Sequence, residues 1–86
     1  MIERGRIVKA SAGRDREEGF FAAVGERDGY VLICDGRRRR LEQPKKKNPR
    51  HLLETDDSIP AEGMRTNRAL RRALAAYTAS RIPTAD

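Results

Sequence analysis

Disulfides are excluded at the outset. The 86 residues contain one cysteine, Cys34, and one thiol cannot form an intramolecular bridge. The start, Met1-Ile2-Glu3-Arg4, lacks the apolar run of a secretion signal, so a cytoplasmic protein is expected. The longest apolar stretch, Tyr30 to Cys34, is far below the ~20 residues that cross a bilayer, and no membrane partner is expected. Tryptophan is absent, and two Phe and two Tyr are the only aromatic residues. That scarcity argues against single-strand readout by rings stacked on successive bases. One histidine and one cysteine cannot by themselves supply a zinc site, and no P-loop or dinucleotide fingerprint occurs.

Catalytic chemistry finds little to work with. As a lone general base His51 would need a positioned partner that the sequence does not reveal. It reads as a surface or RNA-adjacent imidazole. Cys34 ends an apolar run, where a packed thiol is commoner than a nucleophile. Asp56-Asp57 reads as a solvated pair. The expectation is a non-enzymatic chain with no cofactor and no metal.

What the sequence has in abundance is positive charge. Charged residues make up 37% of the chain and the net charge is +6, with a pI near 10.2 and a mean hydropathy of −0.81. The excess is concentrated. Between residues 37 and 51, Arg37, Arg38, Arg39, Arg40, Lys45, Lys46, Lys47 and Arg50 face a single acid, Glu42, for a net +7. Residues 52–63 carry Glu54, Asp56, Asp57 and Glu62 without a cation, and residues 64–86 carry five arginines against Asp86. Like charges packed this densely repel, and a phosphate backbone is one counter-charge that relieves them. The competing reading is a solvated, solubilising surface.

The first half reads as short strands. Arg6-Ile7-Val8-Lys9 is a β-branched pair with polar flanks, and Phe20 to Val24 follows Gly19 and ends at Gly25. Asp28-Gly29 between two apolar runs is the sequence of a tight hairpin turn that needs positive φ. Tyr30 to Cys34 is then a strand with apolar residues on both faces, and so a central one. Asp35-Gly36 repeats the turn signal, which predicts that Arg37 to Gln43 runs back antiparallel as an edge strand, stopped by Pro44. A short segment, His51 to Glu54, follows. Four to five antiparallel strands in about 55 residues predict a mainly β fold, a small SH3-like barrel over residues 1–55. Residues 56–65, acidic and carrying Pro60 and Gly63, read as a linker.

Residues 66–80 read as a C-terminal α-helix. Thr66 or Asn67 can cap it, and Leu70, Ala73, Leu74 and Tyr77 share one face at helical spacing. Arg65, Arg68 and Arg72 fall on the opposite face. The apolar stripe is expected to pack on or beside the barrel, because a helix this short is marginal alone. Phe20 and Phe21 alternate across a strand, so at least one lies outside the main core. Packing beneath the helix is favoured for it over stacking on a base.

These segments in their order resemble the KOW-motif proteins. The residues concerned are Gly5-Arg6-Ile7-Val8, Ala12-Gly13-Arg14-Asp15-Arg16, Val24 and the hairpin from Asp28 to Gly36. They continue through Arg40 to Lys47, His51-Leu52 and the tail Thr66 to Leu74. The chain is most similar in this respect to small bacterial relatives of the KOW-type large-subunit ribosomal proteins of archaea and eukaryotes. The resemblance implies an SH3-like barrel and RNA binding, often in a ribosomal context. It also implies RNA contacts in the loop between the first two strands, here Gly13, Arg14 and Arg16. Where the pattern places a glycine after the basic residue, this chain has Glu17 and Glu18.

The expected function is therefore non-catalytic binding of structured, ribosomal RNA by a monomer, with ribosomal proteins as further partners. Expected contacts are Gly13, Arg14, Arg16, Arg37, Arg38, Arg39, Arg40, Lys45, Lys46, Lys47, Arg50, Arg68 and Arg72. On a strand only one alternating set of Arg37–Arg40 can face the ligand, and the sequence leaves open which. The alternative is a small-barrel interaction module docking an acidic protein partner. An anionic lipid surface is the weakest reading, because the helix lacks Trp or Phe on its apolar face.

Overall fold

A computed structural model describes residues 2–11 and 19–81. Five antiparallel strands form one sheet: β1 (Arg6–Ala10), β2 (Phe20–Arg27), β3 (Tyr30–Cys34), β4 (Lys45–Lys47) and β5 (Leu52–Ser58). Their order is β4-β3-β2-β1-β5. A helix, α1 (Asn67–Arg81), follows the sheet, and 3₁₀ turns at Pro49–His51 and Ala61–Met64 precede β5 and α1 respectively. The fold is thus mainly β with one C-terminal helix. Among the described residues the sheet is not closed into a barrel, but the strand order is compatible with an SH3-like one. No helix among the described residues is long and apolar enough to cross a membrane.

The β2–β3 hairpin forms where its turn sequence requires. Asp28 has φ +52° and Gly29 φ +82°, the left-handed pair that a two-residue turn needs to match strand twist. Register shifts between Ala23 and Gly25, and between Arg6 and Val8 on the β5 side, mark bulges. Bulges bend a strand, and the bend lets the sheet bury residues on both faces. Val8, Phe21, Ala23, Val31, Ile33 and Leu52 pack on the inside of the curve. Ile7, Ala22 and Cys34 point the other way, where Ile59, Met64, Leu70 and Leu74 cover them. Consecutive buried residues such as Ile7-Val8 therefore belong to two different cores.

The helix seats itself by the expected stripe. Leu70 and Leu74 are buried, and Ala73 and Tyr77 pack against the same core. Thr66 Oγ1 accepts the Ala69 N–H at 3.0 Å, so Thr66 supplies the cap and leaves the Asn67 side chain for another role. Phe20 packs beneath the helix, edge-on to Tyr77 with centroids 5.0 Å apart, while Phe21 fills the inner core.

Three expectations are corrected. Arg37 to Gln43 is not a strand: only Lys45–Lys47 pairs with β3, so Pro44 precedes the edge strand rather than ending it. The cause is local. Asp35 Oδ1 accepts the N–H groups of Arg37 and Arg39 at 2.8 and 3.0 Å, and the Asp35 and Gly36 N–H groups donate to Arg39 O at 2.8 and 3.0 Å. The loop thereby closes on itself, and the backbone groups a ladder would use are taken. The segment starting at His51 is longer than expected, because β5 runs on to Ser58. The supposed linker is consequently shorter and ordered. Asp56–Ser58 belong to β5, and Ile59 and Met64 are buried beneath α1. The acidic side chains Glu54, Asp56 and Asp57 are exposed, which a sheet edge tolerates and which discourages edge-to-edge pairing.

Candidate functional site

The loop between β3 and β4 is fastened to the first turns of α1. Leu41 N–H donates to Asn67 Oδ1 at 2.8 Å, and Asn67 Nδ2 donates to Glu42 Oε1 at 2.6 Å. Arg71 Nη1 donates to Gly36 O at 2.9 Å. Gly36 has φ +80°, and a Cβ there would collide with the Asn67 carbonyl and crowd the Arg71 side chain. Close approach of loop and helix thus depends on the absence of a side chain at this position. Replacing Asn67 by alanine strands the Leu41 N–H, and a loss of about 1–2 kcal/mol is expected in urea unfolding. Faster amide exchange confined to the 36–42 loop would accompany it.

This docking joins two basic segments that lie far apart in the chain. Arg37, Arg38 and Arg40 are exposed on the loop and Arg39 is half-buried. Across the junction Arg68, Arg71 and Arg72 are exposed on α1. At ~100° per residue, Arg68 lies about 60° and Arg72 about 100° around the helix from Arg71. The arginines therefore form a continuous band from the loop onto the outer face of α1. The two acids of this segment are engaged: Asp35 by the loop amides and Glu42 by Asn67. Where the loop meets the helix, a groove of about 580 Å³ has Arg37, Arg38 and Arg71 in its lining.

The other expected contacts divide. Lys45, Lys46 and Lys47 form the edge strand and alternate across it. Lys46 is exposed, with its ammonium 5.1 Å from the Tyr30 ring centre. Lys47, opposite Val31, is only 9% exposed and so turns inward, away from any ligand on the outer face. Lys45 is half-buried, and Arg50 is exposed in the turn capped by Asn48. Gly13, Arg14 and Arg16 lie outside the described residues. Arg71 escaped sequence reading because it flanks the apolar stripe instead of opposing it. Its spacing of four from Asn67, the other residue that grips the loop, is the one signal that points to it.

Other reactive groups have structural surroundings. Cys34 is buried in the core beneath α1. Burial, with the Asp35 carboxylate next, pushes its thiol from an ordinary 9.0 up to about 12. The thiol is therefore protonated at neutral pH and a poor nucleophile. Because the folded value is the higher one, its contribution is complete below pH 9.0 and declines as pH rises toward about 12. The slope approaches ~1.4 kcal/mol per pH unit. Native protein should resist a disulfide reagent at pH 8 for as long as it stays folded, and react at once in urea; prompt native labelling would contradict this burial. Asp57 lies 3.3 Å from the Arg81 guanidinium at the far end of α1, and Arg81 Nη2 also donates to the Tyr77 hydroxyl at 2.7 Å. Among the described residues, no group of three or more His, Cys, Asp or Glu side chains is placed to hold a metal ion.

No protein-family model matches the chain, and no curated protein sequence matches it.

Proposed function

We propose that this chain is a non-catalytic RNA-binding protein that holds structured RNA on the arginine band formed by the 37–40 loop and α1. The observation that carries this reading is the docking of loop on helix through Gly36, Asn67 and Arg71. It gathers six arginines from two segments into one surface. Arginine suits such a surface because its planar fork can grip a phosphate with two parallel hydrogen bonds. A band of cations without interleaved exposed rings matches phosphate and shape recognition of folded RNA. The resemblance to KOW-type ribosomal proteins supports ribosomal RNA as the RNA concerned.

The test is the salt dependence of binding to folded ribosomal RNA fragments. Engagement of about six phosphates gives a plot of log K against log salt with a slope near −4 to −5. A slope near zero, or partners in a cell lysate that all survive ribonuclease digestion, would instead favour an acidic protein partner.

A further inference from the structure

The groove at the loop–helix junction is more than a stretch of positive surface. Its volume, about 580 Å³, falls within the range of pockets that enclose small organic groups. Its two ends differ in chemistry. Arg37 and Arg38 from the loop stand with Arg71 of α1 in its lining, and Ala75 and Ala79 follow Arg71 on the same ridge of α1, one and two turns further on, with Phe20 also in the lining. Arg71 is fixed there by its bond to Gly36 O. The Phe20 ring is steadied by Tyr77, and the Lys9 ammonium sits 5.5 Å from its centre. The acid in the groove, Asp35, has an oxygen committed to the loop amides.

An apolar end next to a cationic one fits a group that is itself divided into a flat, weakly polar part and an anionic part. A nucleotide has that division. A paired helix does not present it, because stacking hides the base faces and leaves phosphates and sugar outside. Resting on the RNA-binding reading above, we infer that this groove receives a single unpaired nucleotide of the bound RNA. Its base lies against Phe20, Ala75 and Ala79, and its phosphate on Arg37, Arg38 and Arg71. The arginine band would then hold the paired stem while the groove selects stems that carry a bulged residue. Such selectivity needs no exposed aromatic platform.

The experiment compares two RNA hairpins, identical except for one bulged nucleotide in the stem, by fluorescence anisotropy at fixed salt. The wild-type chain should bind the bulged hairpin about tenfold more tightly, the scale of one base buried against an apolar surface. A double variant, Ala75→Leu with Ala79→Leu, fills the apolar end without changing charge and at exposed positions where leucine keeps a helix. It should bind both hairpins alike, at the wild-type affinity for the fully paired one, with an unchanged circular dichroism spectrum. The single variant Ala79→Leu should give an intermediate preference. Equal binding of both hairpins by the wild type would overturn the inference while leaving RNA binding intact. A bulge preference that survives in the double variant would do the same. Binding of neither hairpin would overturn the RNA-binding reading and this inference together.

Discussion

Replacing Arg37, Arg38, Arg68 and Arg72 together by glutamine should lower affinity for a folded ribosomal RNA fragment by about 10³-fold near 0.1 M salt. The estimate follows from counterion release. Each phosphate neutralised adds roughly 0.7–0.9 to the salt slope, so each contact is worth close to tenfold between ~1 M and ~0.1 M salt. Four lost contacts should also flatten the slope by about 3, and that second number separates lost phosphate contacts from general damage. All four side chains are exposed, while Arg71, which bonds the loop backbone, is left in place. The fold should therefore persist. A control that removes charge elsewhere, at exposed Arg4 and Arg27, should change affinity by only a few-fold. Equal losses in both variants would mean that net charge, and not the band, does the binding.

Leu70→Ala should cost about 2–5 kcal/mol of stability, the usual range for emptying a fully buried leucine site. A domain of this size has only ~4–13 kcal/mol in all, so the midpoint in urea should fall steeply. Leu70 is fully buried at 0% exposure, in the core that α1 shares with Ile7, Ala22, Cys34 and Met64. That helix carries half of the arginine band and anchors the loop that carries the other half. Binding should therefore weaken at denaturant concentrations where the wild type is still folded. A loss of 1 kcal/mol or less would mean that the helix is not held by this core.

Much of this architecture is written in local residue chemistry. Asp28-Gly29 can hardly be anything but a turn, because only a pair tolerant of positive φ fits there. Tyr30 to Cys34 has no polar residue to turn outward, which marks an interior strand. The Leu70, Ala73, Leu74, Tyr77 stripe likewise has one sensible use. Asp35-Gly36 shows where local reading stops. It has the same composition as the first turn but a different outcome, since Asp35 does not take a positive φ and its carboxylate gathers the next amides instead. That carboxylate decides that the chain folds up as a loop, and the partner that then fastens the loop, Asn67, lies 26 residues beyond Leu41, where no periodicity records it. Asp56–Ser58 misled for a related reason. Acidic residues read as solvent-loving linker, yet an edge strand paired on one side only can carry them.

The candidate site was legible as charge and illegible as surface. The sequence concentrates cations between Arg37 and Arg50, and the strand reading divided them between two faces. In the structure the loop keeps Arg37, Arg38 and Arg40 outside, Lys47 is buried in the edge strand, and Arg71 joins the Arg68 and Arg72 that helical spacing already places on the outer face of α1. Composition names the ligand class that could balance the charge; only the long-range contact between Gly36 and the helix says which cations lie together.

Backbone amide NMR of the labelled protein, titrated with a folded ribosomal RNA fragment, reads out residue by residue whether the loop–helix junction holds the RNA. Shifts and line broadening should concentrate at residues 36–42 and 66–75, on both sides of the loop–helix junction, and should reverse on raising the salt. Perturbations confined to β5, with the loop and α1 unchanged at saturating RNA, would contradict that reading.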